Sequence, residues 1–213
     1  MNGLLIIGAG GHGKVIADIA SAVGQWDSIA FLDDKYPELR QVLDWPVIGE
    51  IDDLKKFRRD FPAIFIAVGD NAVRQKLTNW AEAEGFGLPV LIHPRAAVSR
   101  FAVIGPGTIV NNQAAVNANA KIGKGCIVNT GATVGHDCEL GDFVHVAPGA
   151  SLAGETVIGE RCWIGMHSAV IERVKLGSGV VVGAGAVVLK NVADHQLVVG
   201  IPAKIVKALP PGN

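Results

Sequence analysis

At 213 residues, 49% hydrophobic and 18% charged where about 25% is usual, the chain can form one large or two small cored domains, which excludes a disordered segment. A formal net charge of -1, with no lysine or arginine block, removes the electrostatic case for nucleic acid or an anionic membrane as a partner. The longest uncharged apolar stretch, Val180–Leu189, falls far short of the ~20 residues that span a bilayer, the N-terminus shows no secretory pattern, and three cysteines do not pair off into a disulfide framework; the expected location is the cytoplasm.

In chain order, strand-like runs at Leu4–Ile7, Ile29–Leu32, Ile64–Val68 and Pro89–Ile92 alternate with helix-like runs at Lys14–Val23, Ile51–Phe61 and Asn71–Glu84, which predicts a small parallel α/β domain. Nine aromatic residues precede Pro94 and only three follow it, so a change of packing rule is expected there and the domains are set at 1–93 and 94–213. Within the first domain, Gly8-Ala9-Gly10-Gly11-His12-Gly13 sits between a strand and a helix, and Asp33 and Asp34 follow about 20 residues on. Glycines in that context let the backbone approach a pyrophosphate, whose charge is stabilised by the amides of the helix start. A tight, ligand-free strand-to-helix turn fits the same residues. The domain is about half the length of a full dinucleotide fold, which favours a nucleotide diphosphate sugar over NAD.

From Val98 to Val188 every sixth residue is Val, Ile or Leu, and the residue four places on is always small or β-branched. These two positions lie two residues apart across each join, so both point to one side of a strand and face the core. The residue after each apolar position is glycine in eight hexads, read as freedom for the backbone beside a corner. Short strands separated by turns and wound repeatedly predict a parallel β-helix. Cys126, Cys138 and Cys162 occupy the inward register and are expected to be core fillers, with no nucleophilic thiol and no metal site.

The hexad pattern resembles the hexapeptide-repeat transferases, whose β-helix is left-handed, with 18 residues per coil. With Gly-His-Gly at 11–13, Leu32-Asp33-Asp34, Ala67-Val68-Gly69-Asp70-Asn71, Gly135-His136-Asp137-Cys138 and Gly200-Ile201-Pro202-Ala203-Lys204, nearly the whole chain is similar to the acetyltransferases of nucleotide-linked 4-amino sugars. That group includes bacillosamine-pathway and perosamine N-acetyltransferases and a sialic acid O-acetyltransferase branch. The resemblance implies a Rossmann-like domain, a left-handed parallel β-helix and a homotrimer with acetyl-CoA bound between subunits.

Acyl transfer to an amine needs a base, an oxyanion donor and two aligned substrates. His136 falls at a corner with Asp137 after it, a neighbour that can raise the basicity of an imidazole and fix its tautomer; a plain turn histidine has the same spacing. The family motif makes His136 the general base, acting with Asp137. Counting 18 residues on places Gly154 one coil above His136, with an amide the resemblance assigns to the thioester carbonyl. It further implies that His145, Met166 and Ala184 contact acetyl-CoA, and that the nucleotide sugar is bound by Gly10, Gly11, His12, Asp33, Asp34, Gly69 and Asn129. The expected reaction is direct N-acetylation of a nucleotide-linked 4-amino-4,6-dideoxy sugar. A UDP-linked sugar of the bacillosamine type is the first choice, although Asp137 stands where the bacillosamine enzyme carries glutamate. The alternatives are a GDP- or dTDP-linked sugar of the perosamine type, a sialic acid hydroxyl, or a non-catalytic scaffold.

Overall fold

A computed structural model describes residues 2–210. The chain divides into two compact units, Met1–His93 and Pro94–Asn213.

The first unit is a five-stranded sheet with helices. Its elements are β1 (Gly3–Ile7), α1 (Gly11–Val23), β2 (Ser28–Leu32), β3 (Gln41–Val42), β4 (Trp45–Gly49), a 3-10 helix (Ile51–Phe57), β5 (Ala63–Ile66) and α2 (Asn71–Ala83). The sheet order is β3-β4-β2-β1-β5. Strand β1 is wholly buried and pairs in parallel with β2 and β5, as a continuous apolar run covered on both faces should. The all-parallel expectation fails at the edge, where β3 and β4 form an antiparallel hairpin around Leu43, at φ 52°. The predicted helix over 51–61 is a shorter 3-10 segment, and of the predicted strand over 89–92 only Leu91–Ile92 is extended.

The second unit is a parallel β-helix. Partners in adjacent coils are 18 residues apart: Ala115 pairs with Thr133, Lys121 with Glu139, and Ile127 with His145, one ladder for each of three faces. The two inward registers fill the interior from Val110 on, and apart from Val192 at 9% none of those side chains is more than 5% exposed. The period stops after Val188, and the stack closes with Gln196–Val199 on the third face and an antiparallel return at Lys204–Ala208.

The glycines at the strand ends have a different cause from the one expected. A Cβ on Gly135 would stand 2.7 Å from the backbone of Ala153 and Gly154, and one on Gly159 would stand 2.5 Å from Ser178 N. These glycines permit the coils to approach. The left-handed backbone lies two residues beyond that hexad position, whether or not glycine fills it, at Asn119, Asp137, Glu155 and Arg173 among others. All three cysteines are buried in the core, and burial pushes the Cys162 thiol up to about 12.

Candidate active site

The predicted residues fall into three clusters, one in the first unit and two at different corners of the β-helix.

In the first unit, the pairing of β2, β1 and β5 brings the turns after their carboxyl ends side by side, the usual ligand edge of a parallel sheet. Gly10 and Gly11 open α1, whose first turn has neither a side-chain cap nor an acidic residue; α2 by contrast is capped by Asp70, which accepts from Val73 N at 2.9 Å. Uncapped amides at a helix start attract an anion. Nothing approaches within 4 Å of where side chains on Gly10, Gly11 or Gly69 would project, so the backbone at all three is open. His12 Nε2 is buried and has no partner among the described residues. Burial, followed by the charge of Arg74, lowers the His12 pKa to about 4 and keeps the ring neutral.

Asp33 is engaged in the fold itself. Its Oδ2 accepts from Ala9 N at 2.7 Å and its Oδ1 from Lys35 N at 3.0 Å, so it orders the glycine-rich turn, while Asp34 is exposed. Sequence reasoning missed Arg74, which is 1% exposed and donates to the carbonyls of Val68 and Gly69 and to Asn71 Oδ1, fixing the second turn. A cavity of about 570 Å³ lined by Trp26, Trp45 and Phe61 involves none of these glycine turns.

The second cluster surrounds His136, on the corner between the first and second faces of the β-helix. His136 Nδ1 lies 2.7 Å from Asp137 Oδ2, and Asp137 Oδ1 accepts from Asn119 Nδ2 at 2.7 Å. A carboxylate can only accept, so Nδ1 carries the proton and Nε2 presents its lone pair. The Asn119 hydrogen bond, then that of His136, holds the Asp137 carboxyl below its ordinary range. Gly154 does stack on His136, and the contact explains the glycine: a Cβ there would lie 2.5 Å from Nε2, in the space the ring occupies. The carbonyl of Gly154 accepts from Arg173 N at 3.1 Å, while its N–H has no partner among the described residues. Glu155, one coil above Asp137, is held in a two-bond pair with Arg173 at 3.1 and 3.2 Å. Asn119 was missed, although the 18-residue count that finds Gly154 above His136 also finds Asn119 below Asp137.

The third cluster lies on the third face, where Ile127, His145 and Trp163 pair, and at its corner with the first face. Asn129 belongs here and does not sit at the His136 corner. Its Oδ1 accepts from Thr130 N at 2.8 Å and Asn111 Nδ2 at 3.0 Å, which turns its Nδ2 toward His145 Nε2 at 3.2 Å. His145 Nε2 is therefore the acceptor and the ring proton is on Nδ1. The His145 ring packs on Trp163 with centroids 4.2 Å apart. Trp163, Pro148, Met166 and Ala184 line a shallow cleft of about 270 Å³, with Met166 half exposed.

This architecture is shared with known proteins. Residues 3–81 match the PglD N-terminal domain, and residues 119–154 and 155–190 match the bacterial transferase hexapeptide repeats. The acetyltransferase domain of PglB from Neisseria gonorrhoeae FA1090 is 46% identical, with a TM-score of 0.93, over 97% of this chain and 100% of that one. The chain belongs to the PglD-type hexapeptide acetyltransferases. In this family the β-helix is left-handed, and so it is here. The PglB domain has been solved with acetyl coenzyme A. PerB from Caulobacter crescentus, 40% identical with a TM-score of 0.92 over 97% of this chain and 98% of that one, has been solved with CoA and GDP-perosamine. UDP-N-acetylbacillosamine N-acetyltransferase from Bacillus subtilis is 40% identical over 115 residues, 52% of this chain; the match spans about half (51%) of that protein's length.

Proposed function

We propose that the protein transfers an acetyl group from acetyl-CoA to the 4-amino group of a nucleotide-linked 4-amino-4,6-dideoxy sugar. The observation that carries this reading is the His136–Asp137 pair, which leaves His136 Nε2 as a proton acceptor beside the amide of Gly154, which has no partner among the described residues. The amine attacks the thioester carbonyl carbon as its proton passes to Nε2. The oxyanion that forms is held by the Gly154 N–H. Its collapse breaks the C–S bond, and the proton on Nε2 goes to the departing CoA thiolate. No covalent enzyme intermediate is required, in keeping with three buried cysteines.

The acetyl-CoA arm is assigned to the cleft of Met166 and Ala184, with His145 as a hydrogen-bonding group beside it. The nucleotide diphosphate is assigned to the open start of α1, where Gly10, Gly11, the neutral His12 and Gly69 supply donors and Asp34 faces the nucleoside. Asn129 acts on the acyl side through His145. Three copies of the chain form the enzyme. A trimer accounts for why one chain carries its base and its thioester cleft on different corners: each complete site draws on two neighbouring copies.

The preferred substrate is UDP-linked, on the likeness to the Bacillus protein; a GDP-linked sugar is the second choice, on the likeness to PerB. A panel of UDP-, GDP- and dTDP-linked 4-amino sugars, each beside its 4-hydroxy counterpart, tests the reading through thiol release. Turnover on amines alone supports N-acetylation. Turnover on the hydroxyl compounds alone overturns it.

A further inference from the structure

We infer that Asn119 is a positioning residue for the reaction, acting on His136 through Asp137; the inference rests on His136 being the base. Asn119, Asp137, Glu155 and Arg173 form a column, each 18 residues above the last and each in the left-handed region, with φ between 58° and 63°. They sit on the outside of one corner, where a side chain has no core to fill. The upper two satisfy each other as an ion pair. The lower two are joined by the 2.7 Å bond from Asn119 Nδ2 to Asp137 Oδ1.

That bond decides the geometry of the pair above it. Asp137 is half exposed, and its carboxylate has two equivalent oxygens free to rotate unless one is held. Asn119 takes Oδ1 and leaves Oδ2 facing His136 Nδ1 at 2.7 Å. The imidazole is then fixed with Nδ1 protonated and Nε2 lying over Gly154. An orienting group behind the base works because small displacements of a reacting atom cost large factors in rate. Asparagine suits the position twice over: its amide donates, which aspartate at this place would not, and it tolerates a left-handed backbone.

Glycine tolerates the same backbone, so Asn119→Gly removes the amide and little else. Its expected effect is a roughly 10- to 100-fold fall in kcat with KM for acetyl-CoA unchanged. Asn119→Asp, which puts a second acceptor where the donor stood, should lose at least as much kcat. In an Asp137→Gly background, Asn119→Gly costs nothing further. A purely structural role would lower stability instead and leave that cycle additive. Imidazole ¹⁵N shifts of His136 supply a readout without substrate: a protonated Nδ1 in the wild type, and a mixture of tautomers in Asn119→Gly. The inference is overturned if Asn119→Gly keeps wild-type kcat and tautomer while His136→Ala is inactive. If His136→Ala itself turns over normally, the base assignment falls and takes this inference with it.

Discussion

His136 and Gly154 show how a backbone repeat becomes a reactive arrangement. The imidazole does not select its own tautomer; Asp137 does so by accepting at Nδ1, and Gly154 gives the ring room. Gly154 is not in the left-handed region, so alanine is compatible with its backbone but not with the ring below it. Gly154→Ala should therefore lower kcat by about 10- to 100-fold by displacing Nε2, with a thermal melt close to wild type. An unchanged kcat would mean that the ring need not lie where it does. The pair His136-Asp137 was legible because the two residues adjoin and sit at a corner of the repeat. Gly154 was legible as the residue stacked on His136, but its second role of leaving room for the ring was not, since a spacing rule says which residues stack and not how the gap between them is filled. The family likeness alone points Asn129 at the sugar; its hydrogen bond to His145 carries no signal in the hexad pattern, since one hexad on a three-sided coil turns a corner.

The β-helix was legible as an element because every coil repeats the same two inward positions, so each residue was constrained by its neighbours above and below. Less regular segments were not. The β3–β4 hairpin carries a proline in its second strand and turns at Leu43, none of which has a period to betray it. The closing strands follow Val188, where the hexads end. The glycines beside the strands were legible as necessary but for another reason, close approach between coils. Gly159→Ala places a Cβ against the backbone of Gly177 and Ser178, which cannot move without opening a ladder, and should cost about 1–3 kcal/mol. Cys162→Ala, at an inward position that carries alanine in other coils, should cost less than Gly159→Ala. Chemical denaturation of the two variants checks the order, and the reverse order would contradict the packing argument.

At the scale of the whole molecule, His12 ties stability to pH. His12 titrates near 6.5 in an unfolded chain and at about 4 in the fold. Above pH 6.5 both states leave it neutral and its contribution is full; between 6.5 and 4 only the unfolded chain takes up the proton, so stability falls as pH falls, by up to about 3 kcal/mol. Urea melts at pH 7.5 and 4.5 should show that loss in the wild type and a smaller one in His12→Asn, and equal losses would contradict the assignment. Sedimentation should give three times the 22.2 kDa chain mass, and a monomer active at the same concentration would contradict a site shared between copies. The measurement that bears most directly on the account is thiol release from acetyl-CoA with the UDP-, GDP- and dTDP-linked 4-amino sugars, wild type beside His136→Ala. The account predicts turnover on one nucleotide class and a fall of about 10²- to 10⁴-fold in the variant. Wild-type turnover by His136→Ala, or acetyl-CoA binding with no transfer to any of the three amines, would contradict it.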